Sequence, residues 1–166
     1  MNSFIVIFNL IFMGVGATLL IDLWAFLLAK YFHIPSLNYA IIGRWLLIFI
    51  KTGQLKHQNI QGAPKQNLET PVGWILHYAI GILFAVLFIL IMGVSWLQQP
   101  DLLSAILFGL VTVLFPFLIM QPCLGMGFFA SKTAKPWQAR LKSSAVHTLF
   151  GVGLVMSIQL LNVLGA

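Results

Sequence analysis

Ionisable side chains are rare in this chain, and three of them fall inside long apolar stretches. They are Asp22, His77 and His147. A charged group in hydrocarbon is costly, so such residues mark ion or proton pathways, ligand sites or polar networks between helices. Gln121 ends another apolar stretch, and Arg44 lies in the middle of a shorter one. These five residues form the candidate site.

Several kinds of chemistry are compatible with this set. Asp22, His77 and His147 match a common set of ligands for a divalent metal, and the two histidines could instead be axial ligands of a haem. A proton or ion relay would use the same three residues. Arg44 with the two histidines could bind an anionic lipid head group or another anion. A purely structural network that fixes helix register is the remaining alternative.

The overall composition places the chain in a bilayer. Apolar and aromatic residues make up 60% of its 166 residues, and charged residues make up 7%. Soluble domains have about 25% charged residues, so a soluble protein is excluded. The sequence lacks a metalloprotease motif, a Ser-His-Asp order, an acidic pair and a nucleotide-binding fingerprint, which disfavours an enzyme. Binding to nucleic acid is also not expected, because the basic residues flank apolar spans.

Four stretches are long enough to cross a membrane. They cover residues 3–29, 71–96, 101–121 and 143–164, with Pro116 as a predicted kink and Pro122 as a predicted stop in the third. A fifth apolar run, residues 37–50, is short and carries Arg44, which predicts a re-entrant or interfacial helix. The sequence therefore predicts a single all-α membrane domain over residues 1–166, with four transmembrane helices in two hairpins.

The distribution of basic residues predicts the orientation. The loop between the first and second spans carries five Lys or Arg, and the loop between the third and fourth carries four. The turn at residues 97–100 and both termini carry none. By the positive-inside rule, the two basic loops are cytoplasmic and both termini are periplasmic.

This orientation brings the polar residues to one side of the membrane. At 1.5 Å per residue, Asp22, His77 and His147 lie about 6–10 Å from the cytoplasmic ends of their spans. His77 and His147 each precede a glycine by four residues, Gly81 and Gly151, which suggests an internal repeat of the two halves. We therefore expect a site that opens toward the cytoplasm, with the histidines as ligands or proton carriers, Asp22 as an orienting or neutralising group and Arg44 as an anion attractor.

Short motifs along the chain carry a resemblance to a known family. They are Asp22-x-Trp24, Asn38-Tyr39-Ala40, Gly43-Arg44-Trp45, Gly73-Trp74-x-x-His77-Tyr78-Ala79-x-Gly81, Pro116-Phe117-x-x-Met120-Gln121-Pro122, Gly125-x-Gly127 and His147-x-x-Phe150-Gly151. Together they resemble the bacterial integral membrane proteins filed as domain of unknown function 2938, over nearly the whole chain. The resemblance implies the inner membrane of a Gram-negative-type bacterium, and it implies no activity.

Three function classes follow from the sequence. The first is a small transporter or ion relay, the second is a metal- or haem-binding membrane protein, and the third is a structural or assembly partner. The expected partners are the lipid bilayer, anionic lipid head groups and a second copy of the chain in a homodimer.

Overall fold

The computed structural model describes residues 2–165 and is all-helical. Helices make up 78% of the structure, which confirms the all-α class. The five long helices are α1 (Ser3–Phe32), α2 (Tyr39–Thr52), α3 (Glu69–Met92), α4 (Leu102–Cys123) and α5 (Pro136–Leu164). All of these except α2 are long and apolar enough to span a membrane. Short 3₁₀ turns cover Ile60–Gly62, Val94–Leu97 and Phe128–Ala130.

The helix ends differ from the expected bounds for local backbone reasons. α3 ends at Met92, four residues before the predicted end, because Gly93 adopts a φ of 84°. α5 begins at Pro136, seven residues before the predicted start, because a polar first turn precedes its apolar part. Proline fits this first turn, since the amide that it lacks would have no intrahelical partner there.

The predicted kink in α4 is a π-helical turn. It covers Pro116–Met120 and joins the α-helical segment Leu102–Thr112 to a last segment, Gln121–Cys123. Proline has no amide hydrogen to donate within a helix, and a π-turn absorbs the resulting irregularity. Pro122 does not stop the helix, which continues for one residue to Cys123.

The chain forms two compact units. Unit 1 comprises residues 2–36, 78–111 and 146–165, and unit 2 comprises residues 37–77 and 112–145. Unit 1 has an apolar core, in which Met13, Phe88, Leu154 and Ile158 are fully buried.

Close backbone contacts hold the helices of unit 1 together. A Cβ atom on Gly14 of α1 would lie 2.6 Å from the Ile82 Cα of α3, and one on Gly151 of α5 would lie 2.8 Å from the Ala105 carbonyl carbon of α4. Neither position has room for a side chain. Small residues at such crossings let membrane helices gain packing that lipid does not offer.

Unit 2 is organised around α2. This helix begins after Asn38, whose side chain accepts a hydrogen bond from the Ala40 amide, and it ends at Gly53 in the left-handed conformation. Gly43 lies directly against the backbone of Glu69 and Gly73 at the start of α3. α2 is distinctly amphipathic, unlike the four apolar helices, which agrees with the expectation of a helix that does not cross the membrane.

Candidate functional site

Asp22 of α1 pairs with a tyrosine in unit 1. The Tyr78 hydroxyl of α3 donates a hydrogen bond of 2.8 Å to Asp22 Oδ2. Both side chains are partly buried, and both helices are candidate membrane spans. Nearby along α1, Thr18 bonds to the Gly14 carbonyl at 2.8 Å, and Gly81 of α3 lies directly against the Thr18 hydroxyl. The polar pair thus belongs to a close contact between α1 and α3.

His77 belongs to an aromatic cluster in unit 2. Its Nε2 atom and the Tyr39 hydroxyl are 3.0 Å apart in a hydrogen bond, and the two rings are stacked with centroids 4.2 Å apart. The Trp74 ring packs against Tyr39, with centroids 4.4 Å apart, and meets the His77 ring edge-on. The cluster fixes the His77 ring and gives it a hydroxyl with which a proton can be shared.

Arg44 is a buried residue of unit 2 that forms an ion pair with the partly buried Glu69. Its Nε and Nη2 atoms donate to the two carboxylate oxygens of Glu69 at 2.8 and 2.9 Å. Its Nη1 atom donates to three backbone carbonyls at 3.1–3.4 Å, those of Ile60, Gln61 and Ala63. The hydrogen bonds to Glu69 raise the pKa of the Arg44 guanidinium. The expected anion-attracting role does not fit this geometry, because Glu69 and the carbonyls already occupy the guanidinium.

The remaining two candidates occupy different environments. His147 is a partly buried residue of α5 in unit 1, and its backbone carbonyl lies directly against Gly109 of α4. Gln121 lies at the end of α4 in unit 2, where its Oε1 atom is buried without a hydrogen-bond partner.

The five candidates are therefore divided between the two units. Asp22 and His147 belong to unit 1, and Arg44, His77 and Gln121 belong to unit 2. Within residues 2–165, no group of three His, Cys, Asp or Glu side chains has an arrangement that could hold a metal ion. The proposed metal set of Asp22, His77 and His147 thus gains no support from the described geometry, and the functional argument rests on the hydrogen-bonded pairs.

Three residues that partner the candidates were not predicted to belong to the site. Tyr78 and Tyr39 hydrogen-bond Asp22 and His77, and Glu69 binds Arg44. One signal for Glu69 was available, because an arginine within an apolar run needs a nearby carboxylate and the chain has only three acidic residues. Both tyrosines lie in motifs that carry the family resemblance, but tyrosine is also common at membrane interfaces, and the motifs did not indicate which residues they bond.

These features define a multi-span α-helical membrane protein with polar pairs between its helices. The chain belongs to the family described as protein of unknown function DUF2938, whose model matches residues 11–161. Comparison with curated proteins gave no match, and comparison with solved structures gave none either.

Proposed function

We propose that this chain takes up and releases protons, or a small cation in their place, at the Asp22–Tyr78 pair. The hydrogen bond of 2.8 Å from the Tyr78 hydroxyl to Asp22 Oδ2 is the observation that carries the proposal. It joins two helices that are each apolar enough to span a membrane. Ionisable residues in such segments commonly belong to proton and ion pathways.

The chemistry of the partner supports proton exchange. A tyrosine hydroxyl can donate to an ionised carboxylate, and its oxygen can also accept a hydrogen bond from a protonated one. The pair therefore accommodates Asp22 in both protonation states. The Arg44–Glu69 pair differs, because its bidentate contact to a guanidinium favours only the ionised carboxylate.

The distribution of charge supports a specific membrane topology. We place the protein in a bacterial inner membrane, with the two basic loops in the cytoplasm and both termini in the periplasm. In this orientation α2 lies at the cytoplasmic interface, and Asp22 lies near the cytoplasmic end of α1. The site then exchanges protons with the cytoplasm. A reporter fused to the C-terminus tests this topology, since activity in the cytoplasm would contradict it.

Proton flux into liposomes tests the function. The purified chain is reconstituted with an internal pH-sensitive dye, and a pH gradient is imposed across the bilayer. We expect the wild-type protein to dissipate the gradient, and we expect Asp22→Asn to reduce the rate to that of empty vesicles. Asp101→Asn is the matched control, because it removes an exposed carboxylate at the start of α4. Equal fluxes for the wild type and Asp22→Asn would contradict the proposal.

A structural role is the second candidate, favoured by a specific observation. Gly14 and Gly81 form a close contact between the two helices that Asp22 and Tyr78 connect. The polar pair could therefore fix the register of α1 against α3. In that case Asp22→Asn lowers the thermal stability in detergent and leaves the residual flux of the folded protein unchanged. Helical content by circular dichroism, measured on the same samples, separates loss of fold from loss of flux.

A further inference from the structure

The two basic loops of unit 2 form a surface cavity of about 490 Å³. We call it the loop pocket and define it by six of its lining residues: Lys56, His57, Gly125, Gly127, Ser131 and Lys132. Its volume falls within the range of roughly 300–1,000 Å³ that is typical of small-molecule sites. None of these residues belongs to the proton site proposed above.

Main-chain contacts build the pocket from two separate segments. The His57 amide donates to the Cys123 carbonyl at 2.8 Å, and the Ile60 amide donates to the Leu124 carbonyl at 3.3 Å. Gly125, at a φ of 87°, lies directly against the Gln58 carbonyl, so a side chain there would separate the two segments. The pocket is therefore a defined feature of the fold.

The charged residues that line the pocket are both lysines. Lys56 and Lys132 contribute two positive charges, Ser131 contributes a hydroxyl, and none of the lining residues is acidic. An ammonium group and a hydroxyl are typical donors to a phosphate oxygen. Basic pockets that flank membrane helices bind the phosphates of lipid head groups.

His57 provides an independent indication of a ligand. The residue is only 9% exposed, and its Nε2 atom is buried without a hydrogen-bond partner. A buried polar atom without a partner is costly, and a site that binds a hydrogen-bonding ligand is one established reason for it. His57 is one of the residues that line the pocket, and its imidazole has an unused position for a hydrogen bond.

We propose that the loop pocket binds a phosphate group through Lys56, Lys132, Ser131 and the unpartnered side chain of His57. The phosphate belongs either to an anionic lipid head group or to a soluble solute, since both present the same oxygens.

Binding by the full-length protein in detergent tests the proposal with two probes. Phosphatidylglycerol is titrated and its adducts are counted by native mass spectrometry, with phosphatidylcholine as the zwitterionic reference. Inorganic phosphate is titrated in parallel by calorimetry. Binding of phosphatidylglycerol alone identifies a lipid ligand, and binding of both probes identifies a site that also accepts a soluble phosphate.

Two double lysine variants test whether the lysines of the loop pocket bind the phosphate. Lys56→Gln with Lys132→Gln is expected to weaken binding roughly tenfold, as loss of two exposed ion pairs implies. Lys65→Gln with Lys135→Gln removes the same charge from exposed positions outside the pocket and should leave the affinity within about twofold of the wild type. Equal losses in the two double variants, or no binding of either probe to the wild type, would overturn the proposal.

A third variant tests the histidine without changing the charge of the lysines. His57→Phe keeps an aromatic ring and the backbone bond to Cys123 but removes the ring nitrogen. We expect binding about fivefold weaker with the lysines intact, the effect of one lost hydrogen bond. Unchanged affinity in a folded His57→Phe protein would contradict the part assigned to His57.

Discussion

Different kinds of contact stabilise the interior of each of the two units. In unit 1, apolar helices pack closely at glycines such as Gly14 and Gly151, and the buried hydroxyl of Ser157 bonds to a carbonyl of its own helix. In unit 2, a glycine contact at Gly43 is accompanied by the ion pair between the buried Arg44 and the partly buried Glu69. A regular helix satisfies its own backbone, whereas the irregular segment at residues 60–63 relies in part on a side chain, since Arg44 donates to three of its carbonyls. The guanidinium of Arg44 therefore stabilises a segment whose backbone is irregular.

Removal of the Arg44 side chain should have the largest effect. Arg44→Ala removes two donors from the Glu69 carboxylate, which keeps only the Gln66 amide, and it removes the donor shared by three backbone carbonyls. This loss is expected to cost about 3–5 kcal/mol in the free energy of unfolding. Denaturant-induced unfolding in mixed micelles measures this change.

Arg140→Ala is the control, because Arg140 makes one exposed hydrogen bond to the Phe129 carbonyl. Its loss should cost about 1 kcal/mol or less. Similar losses for the two arginines would contradict the special role of Arg44 in unit 2.

The second-largest effect should come from the glycine contacts of unit 1. A methyl group at Gly151 meets the backbone of Ala105 and Ile106, which cannot move away without separating α4 from α5. We expect Gly151→Ala to destabilise the protein by about 1–3 kcal/mol, although alanine favours a helix.

Gly62→Ala is the matched substitution in unit 2. Its Cβ would meet only the Asn59 side chain, at 3.6 Å, so the change should be within about 0.5 kcal/mol. Thermal unfolding of both variants in the same detergent makes the comparison. A neutral Gly151→Ala would show that the close contact does not stabilise unit 1.

The tyrosine hydroxyls should contribute less, with one test in each unit. Tyr78→Phe removes the hydrogen bond to Asp22, and Tyr39→Phe removes the bond to His77. Each should cost about 1 kcal/mol, the usual net value of one hydrogen bond. The two values are measured by unfolding in the same micelles. A loss above 3 kcal/mol for either would indicate that the hydroxyl supports a larger network than the pair.

The smallest effect concerns the start of α4 in unit 1. Asp101 accepts hydrogen bonds from the Ser104 and Leu103 amides. These bonds favour the ionised carboxylate and lower the pKa of Asp101 from its ordinary value of 3.8, with the bond from Ser104 as the largest cause. A lowered pKa means that the ionised form stabilises the fold above the ordinary pKa and that this contribution is lost as the pH falls through the folded value.

Asp101→Asn should therefore lower the melting temperature slightly near neutral pH. The difference from the wild type should shrink as the pH falls below 3.8, when the wild-type carboxyl becomes protonated. Calorimetry at several pH values checks this. A difference that stays constant with pH would indicate that ionisation of Asp101 is not the source.

The spans could be predicted from the sequence because length and apolar composition alone determine them. Their ends were less predictable: Gly93 ends α3 through a positive φ, and the polar first turn of α5 follows from Pro136 rather than from hydropathy. Helix ends depend on single residues and their caps, which a search for apolar stretches does not detect.

The spacing of His77 to Gly81 and of His147 to Gly151, which suggested an internal repeat, coincides with close helix packing at the two glycines. Gly81 and Gly151, which follow the two histidines by four residues, each lie in close contact with another helix of unit 1. The imidazoles have different surroundings, since His77 stacks on Tyr39 in unit 2 and His147 belongs to unit 1. Spacing along a helix gives the face of a residue but not its partner from a distant segment.

The central claim is that Asp22 exchanges a proton within a membrane span, and infrared spectroscopy tests it most directly. Spectra of the reconstituted protein are recorded as the pH is lowered, for the wild type, Asp22→Asn, Tyr78→Phe and Asp101→Asn. We predict a carbonyl band of a protonated carboxylic acid that grows in the wild type and in Asp101→Asn, shifts in Tyr78→Phe and is missing in Asp22→Asn. An identical set of bands in the wild type and in folded Asp22→Asn, over the whole pH range, would contradict the claim.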